Sequence, residues 1–135
     1  MILVDTSIWI EVFRRQRPLD LEALVPFDEA VVCLPVVQEI LQGIGGEGSY
    51  RVARNALLAM PMLESPMSDD VFLEAAQLFR AARRAGFTVR SSIDCLIAAC
   101  ALRHDIPVLH NDRDFTALAR VSPLKTRQAR PPRPA

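Results

Sequence analysis

The chain begins with Met1-Ile2-Leu3-Val4-Asp5-Thr6-Ser7, and this run sets the expected architecture. Four apolar residues without a turn signal are typical of a strand buried on both faces, as in a parallel sheet between layers of helices. In such sheets ligands bind beyond the carboxyl ends of the strands, which is where Asp5 lies. Asp5 is therefore expected to be either a ligand-binding residue or a helix cap.

Short apolar runs recur along the chain, and helical patterns separate them. Further strands are predicted at 30–34, 62–64 and 107–110. Apolar residues at helical spacing predict helices at 6–15, 19–25, 35–42, 49–60, 69–84 and 91–102, with a short one inside 111–119. This alternation predicts an α/β fold, a three-layer α/β/α sandwich around a small, mostly parallel central sheet. The strand order cannot be read from the sequence.

The length of 135 residues fits one domain with one core. We assign residues 1–126 to that domain. Residues 127–135 are basic and rich in proline, and we expect them to form a disordered tail.

The sequence favours neither a membrane-spanning nor a secreted protein. No apolar run is long enough to span a bilayer, and the N-terminus lacks the pattern of a secretory signal. The three cysteines (Cys33, Cys95 and Cys100) are odd in number and do not have metal-ligand spacing. A cytoplasmic protein without disulfides, and without membrane contact, is the simplest interpretation.

The net charge of zero hides an unusual choice of basic residue. Of 16 basic residues only Lys125 is a lysine, and no acidic residue follows Asp114. Arginine is well suited to bidentate contact with phosphate. A GC-rich genome would also favour arginine codons, so composition alone does not establish a nucleic-acid partner.

Four acidic residues lie at predicted element ends rather than on polar helix faces. Asp5 ends the first strand, Glu39 and Asp94 lie in apolar helical stretches, and Asp112 follows the strand at 107–110. In a parallel sheet the strand ends and the first turns of the following helices meet at one edge. We therefore expect the four carboxylates to face one cleft.

Four converging carboxylates repel one another strongly at low dielectric, unless a divalent cation takes up their charge. Oxygen ligands without a cysteine or histidine cage favour Mg²⁺ or Mn²⁺. A site of this kind is suited to phosphodiester hydrolysis, because the metal activates a water and neutralises charge on the phosphate and the departing oxygen.

Each acid also has a purely structural explanation. Ser91 and Asp94 match the capping-box pattern, Asp112 can cap the helix after it, and Asp5 can cap the helix from Thr6. Glu39 can be a partly exposed helix acid. Capping and metal binding are compatible, so these explanations do not exclude a metal site.

Several polar neighbours are secondary candidates. Thr6, Ser7 and Ser92 can hydrogen-bond an acid or a metal-bound water, or simply cap helices. Asn111 can do the same or make a turn. His110 can touch a leaving phosphate oxygen, although a histidine at a strand end is more often structural.

Four segments together resemble the sequence pattern of PIN domains, and more narrowly that of the VapC toxins of bacterial toxin–antitoxin pairs. The match extends from residue 1 to about residue 124 and covers order and spacing. The segments are Ile2-Leu3-Val4-Asp5-Thr6-Ser7-Ile8-Trp9, Pro35-Val36-Val37-Gln38-Glu39-Ile40, Ser92-Ile93-Asp94-Cys95-Leu96-Ile97-Ala98-Ala99 and His110-Asn111-Asp112-Arg113-Asp114-Phe115.

The resemblance implies an α/β/α PIN fold, a Mg²⁺ or Mn²⁺ site and endoribonuclease activity. It makes Asp5, Glu39, Asp94 and Asp112 the catalytic quartet, with Asp114 as an auxiliary acid. It also implies a homodimer that a cognate antitoxin restrains near the active site. One departure is His110, where many relatives have threonine.

Three functional hypotheses follow. The first is a toxin ribonuclease that cleaves RNA with metal-activated water, leaving 5′-phosphate and 3′-hydroxyl ends; Asp5, Asp94 and Asp112 would bind the metal, and Glu39 would complete the shell or orient water. The second is a catalytically silent PIN-like module that binds RNA or protein. The third, a response-regulator receiver, is discounted, because no aspartate lies between Glu29 and Asp69 and the only lysine is near the C-terminus.

Overall fold

The computed structural model describes residues 1–129, in which five short strands form one parallel sheet. The strands are β1 (Ile2–Val4), β2 (Ala30–Cys33), β3 (Met62–Leu63), β4 (Val108–His110) and β5 (Thr126–Gln128). Their order across the sheet is β3-β2-β1-β4-β5, and every neighbouring pair is parallel.

Helices connect the strands. The α-helices in the described residues are α1 (Thr6–Val12), α2 (Leu34–Gln42), α3 (Glu47–Leu58), α4 (Asp69–Arg84), α5 (Ser92–Arg103) and α6 (Arg113–Arg120). Two short 3-10 turns, Leu21–Ala23 and Phe27–Glu29, lie between α1 and β2. No helix among residues 1–129 is both long and apolar enough to cross a membrane.

The three middle strands are buried on both faces, which confirms the predicted layered α/β architecture. Every residue of β1, β2 and β4 is buried, so helices cover the sheet above and below. Helix α5 is likewise buried along most of its length, from Asp94 to Ala101 with the exception of Leu96. Each large apolar side chain in this core contributes roughly 1.5–3 kcal/mol to folding.

The direction of strand addition reverses at β1. The chain passes from β1 to β2 and β3 on one side and then places β4 and β5 on the other. A parallel sheet opens a crevice at the carboxyl ends of its strands where the order reverses, here between β1 and β4. Val4 pairs with Leu109 in this region, so the residues that follow each strand meet at the crevice.

Strand β5 is absent from the sequence-based prediction. Its three residues are polar and partly or fully exposed, so no apolar run marks them. The strand crosses the predicted boundary at residue 126 and includes Arg127 and Gln128, which we had expected to be in the tail. Ala129 also belongs to the predicted tail, but its N–H donates to the His110 carbonyl at 3.0 Å. Residues 130–135 of that tail lie outside the described residues.

Some helix boundaries also differ from expectation. Helix α1 ends at Val12 rather than at 15, and Leu34 begins α2 instead of ending the second strand. The segment predicted as a helix at 19–25 contains only the turn Leu21–Ala23. The three cysteines are free and buried, as expected for a chain without disulfides.

Candidate metal centre

Asp5 lies between β1 and α1 and has one free oxygen. Its Oδ2 caps α1 by accepting hydrogen bonds from the Ser7 backbone N–H at 3.0 Å and the Ser7 hydroxyl at 2.6 Å. Its Oδ1 is buried and has no hydrogen-bond partner within residues 1–129. Burial raises the pKa of Asp5 to about 6, although the bonds from Ser7 act in the opposite direction. Asp5 therefore caps a helix and also points an unsatisfied oxygen into the crevice.

Asp94 lies in the first turn of α5 and is 3% exposed. Its Oδ2 is buried without a partner in the described part of the chain. The capping box predicted from Ser91 is not formed, since the Ser91 side chain makes no capping hydrogen bond. Loss of hydration raises the pKa of Asp94 to about 10, and the nearby charges of Asp112 and Asp5 act in the same direction. The structural explanation for Asp94 is therefore weakened.

Glu39 is half-buried on α2 and is held by a residue of α1. The Thr6 hydroxyl donates a 2.8 Å hydrogen bond to its Oε1. Thr6, the residue directly after Asp5, is itself buried. This bond fixes the Glu39 carboxylate near the end of β1.

Asp112 follows β4 and caps α6, as its structural explanation predicts. Its Oδ1 accepts a hydrogen bond from the Asp114 N–H at 2.9 Å. Its own N–H donates to Nδ1 of His110 at 3.2 Å. The His110 ring is 1% exposed and packs against Phe115, with the ring centroids 5.2 Å apart. His110 thus supports the turn that presents Asp112.

Asp114 joins α6 to the beginning of α5. It is 2% exposed, and its Oδ2 accepts hydrogen bonds from the N–H groups of Arg90 and Ser91 at 2.9 and 3.2 Å. These two backbone donors could not be identified from the sequence, because every residue except proline has an N–H group and no local pattern distinguishes one from another.

These five acids meet in two overlapping groups. One oxygen from each of Asp5, Glu39 and Asp94 lies within 4.8 Å of the others, and the same is true of Asp94, Asp112 and Asp114. Asp94 belongs to both groups. We refer to the five residues as the carboxylate cluster.

The carboxylate cluster fits a hard divalent cation. Two of its buried oxygens, Asp5 Oδ1 and Asp94 Oδ2, have no donor within residues 1–129, and an unsatisfied buried carboxylate oxygen is costly. A cation that prefers oxygen ligands would satisfy both oxygens. It would also offset the burial and the repulsion from Asp112 and Asp5, which together raise the pKa of Asp94. The donor set contains only carboxylates, which suits Mg²⁺ or Mn²⁺.

The secondary candidates separate into two places. Ser7 and Asn111 bridge the crevice, because the backbone N–H of Asn111 donates to Ser7 Oγ at 2.9 Å. The side-chain amide of Asn111 donates to Glu11 at 3.1 Å. Ser92 is exposed and lines a groove between α4 and α5 together with Phe72 and Phe79.

Comparison with known proteins agrees with this architecture. A family model described as the PIN domain matches residues 2–121. Two relatives, VapC ribonuclease Mb1587 of Mycobacterium bovis and ribonuclease VapC11 of Mycobacterium tuberculosis, are each 39% identical over 130 residues. These alignments cover 93% of this chain and 96% of each relative.

The fold is also similar to solved structures. One of them is VapBC-5 from Mycobacterium tuberculosis, a member of the VapBC family of toxin–antitoxin systems. The similarity has a TM-score of 0.70 at 27% identity and covers 94% of this chain and 97% of that one.

Proposed function

The chain belongs to the PIN domain family, and from this membership and the carboxylate cluster we propose that it is a metal-dependent endoribonuclease, the toxin of a VapBC-type toxin–antitoxin pair. The observation that supports this most directly is the pair of unsatisfied buried oxygens on Asp5 and Asp94. They lie where the strand order reverses, the usual ligand site of parallel α/β sheets.

We assign each acid a role from its contacts. Asp5 and Asp94 would hold the cation through their free oxygens, and Asp112, which groups with Asp94, would complete the ligand set. Glu39, oriented by Thr6 and grouped with Asp5 and Asp94, would also complete the ligand set or orient the attacking water. Asp114 acts mainly by positioning Asp112 and the start of α5.

The bound cation would lower the pKa of a water and offset charge on the scissile phosphate. The chain itself supplies the orientation, because Asp5 and Asp112 are fixed as helix caps and cannot move far. Attack of water on phosphorus, with departure of the 3′-oxygen, leaves a 5′-phosphate and a 3′-hydroxyl.

The proposal includes partners. RNA is the substrate, and a cognate antitoxin would restrain the enzyme, as the similarity to a VapBC protein suggests. We expect the active form to be a homodimer and to work in the cytoplasm.

Incubation of the pure protein with total RNA, with Mg²⁺ or with chelator, tests the activity. We expect new 5′-phosphate ends only with Mg²⁺. Asp5→Asn should abolish them while the protein stays folded, because asparagine can still cap α1. Asp28→Asn, at an exposed position in a 3-10 turn, is the matched control and should cleave as the wild type does.

Calorimetric titration with Mn²⁺ separates this proposal from a catalytically silent module. The enzyme should bind the metal, and Asp5→Asn should bind it far more weakly. A wild-type protein that binds no divalent metal and cuts no RNA would contradict the proposal.

A further inference from the structure

A groove of about 420 Å³ adjoins the carboxylate cluster. One wall is the segment between α4 and α5, and the other is α6 with part of β5. Asp114 lines the groove and also belongs to the cluster, so the two are neighbours. Its lining includes Phe87, Thr88, Arg113, Thr116 and Arg120.

The two walls are fixed relative to each other. Asp114 on α6 accepts hydrogen bonds from the N–H groups of Arg90 and Ser91 in the opposite wall. At the other end of that wall, Gly86 adopts φ +85° and the Phe87 N–H donates to the Ala82 carbonyl at 2.9 Å. The groove is therefore preformed, which reduces the entropy lost when a ligand binds.

Its surface combines positive charge with a cation–π contact. The Arg120 guanidinium lies over the Phe87 ring, 5.5 Å from the centroid. Arg113 is exposed, and neither arginine makes an ion pair within residues 1–129. Thr88 and Thr116 add exposed hydroxyls. The acid in the groove, Asp114, is buried and already engaged by two backbone donors.

We propose that this groove binds the stretch of single-stranded RNA next to the cleaved phosphate, with a base stacked on the Phe87–Arg120 pair and a backbone phosphate on Arg113. Aromatic rings and guanidinium planes are the surfaces on which unpaired bases stack. Arginine is suited to phosphate, and the threonine hydroxyls can contact phosphate or a 2′-hydroxyl. An acidic peptide could pair with Arg113 and Arg120, but unlike RNA it would have no base to stack on the Phe87–Arg120 pair.

This inference rests on the proposed function, but binding can be measured without cleavage. We would titrate the protein into a fluorescein-labelled, unstructured RNA oligonucleotide in chelator and record anisotropy. Phe87→Leu keeps an apolar side chain at this half-buried position and removes the ring. It should weaken binding roughly fivefold or more, the effect of losing a base stack. Arg113→Gln should weaken binding and lower the slope of log Kd against log salt by about 0.7, the value for one phosphate contact on a single strand.

Arg51→Gln is the charge-matched control, because Arg51 is an exposed arginine on α3 outside this groove. It should bind RNA as the wild type does. The inference is overturned if Phe87→Leu and Arg113→Gln bind with wild-type affinity and salt slope, or weaken binding no more than Arg51→Gln.

The inference is also overturned if the two groove variants lose affinity for a protein partner but not for RNA. In each of these cases the Mg²⁺-dependent cleavage assay still tests the proposed function separately. A protein that binds RNA through the groove but never cuts it would instead contradict the proposed function and leave the groove assignment standing.

Discussion

The Thr6 hydroxyl and the Glu39 carboxylate are joined by a 2.8 Å hydrogen bond, although 33 residues separate them. Thr6 begins α1, directly after β1, and Glu39 lies within α2, which follows β2. The bond therefore fixes one acid of the carboxylate cluster relative to another, Asp5, which immediately precedes Thr6. Groups that orient a metal ligand commonly change metal affinity 10–100-fold when they are removed.

Thr6→Val should weaken Mn²⁺ binding by about 10–100-fold, since it keeps the side-chain shape and removes the donor to Glu39. Calorimetric titration measures this change, and cleavage in limiting Mg²⁺ should fall in parallel. Thr6→Ser keeps the hydroxyl and is the control. Equal metal affinity in Thr6→Val and the wild type would show that the bond does not orient Glu39.

Asp94→Asn should raise the melting temperature of the metal-free protein while abolishing metal binding. Burial holds the pKa of the Asp94 carboxyl far above its ordinary value, so the folded protein keeps a proton there at neutral pH. This reduces the free energy of unfolding. An amide avoids that cost. Asp69→Asn, in the exposed first turn of α4, removes a favourable helix-dipole charge instead and should lower the melting temperature slightly.

The stability of the metal-free protein should decrease between pH 7 and pH 9. Asp94 has its pKa raised to about 10, against an ordinary value of 3.8, so in this range the folded state keeps a proton that the unfolded state has lost. Raising the pH then favours unfolding, by up to about 1.4 kcal/mol per pH unit for one group. The two other shifted carboxyls lie outside this range, since the pKa of Asp5 is about 6 and that of Glu64 is lowered. Burial raises the pKa of the Cys95 thiol to about 11, so this thiol adds to the loss of stability near pH 9.

Urea unfolding in chelator at pH 7, 8 and 9 measures this dependence. Asp94→Asn should remove most of the slope between pH 7 and pH 8, and saturating Mg²⁺ should reduce it in the wild type. A metal-free stability that rises over the same interval would contradict the assignment of Asp94 as a buried, protonated acid.

His110→Leu should weaken metal binding more than His110→Asn does. His110 Nδ1 accepts the Asp112 N–H at 3.2 Å, which orients the turn before α6. Leucine fills the buried space without an acceptor, whereas an asparagine side chain readily accepts from the N–H two residues on. Titration with Mn²⁺ compares the two, and melting temperatures recorded alongside identify any general loss of packing. If both variants bind the metal equally well, the His110 acceptor has no positioning role.

The apolar strands were predictable from sequence, whereas the polar edge was not. An apolar run identifies each of the strands at residues 2–4, 30–33 and 108–110. Strand β5 instead consists of partly or fully exposed polar residues, and it joins the sheet through backbone pairing with β4. The strand order depends on long-range packing that no local pattern encodes. It is nevertheless this order that places β1 beside β4.

The candidate site was predictable in part for a similar reason. Asp5, Glu39, Asp94 and Asp112 could be chosen because each lies at an element end or in an apolar stretch, and the fold brings them together. The attachment of Asp114 to the N–H groups of Arg90 and Ser91 could not be foreseen. The role of His110 as an acceptor for the Asp112 N–H is likewise visible only in the structure.

The reversal of strand order at β1 has a consequence for protein synthesis. The carboxylate cluster draws on segments from Asp5 to Asp114, and β4, which precedes its last two acids, lies between β1 and β5. A chain still emerging from the ribosome has three of the acids but neither the last two nor the strand that aligns them. The carboxylate cluster is therefore incomplete until almost all of the polypeptide has been translated.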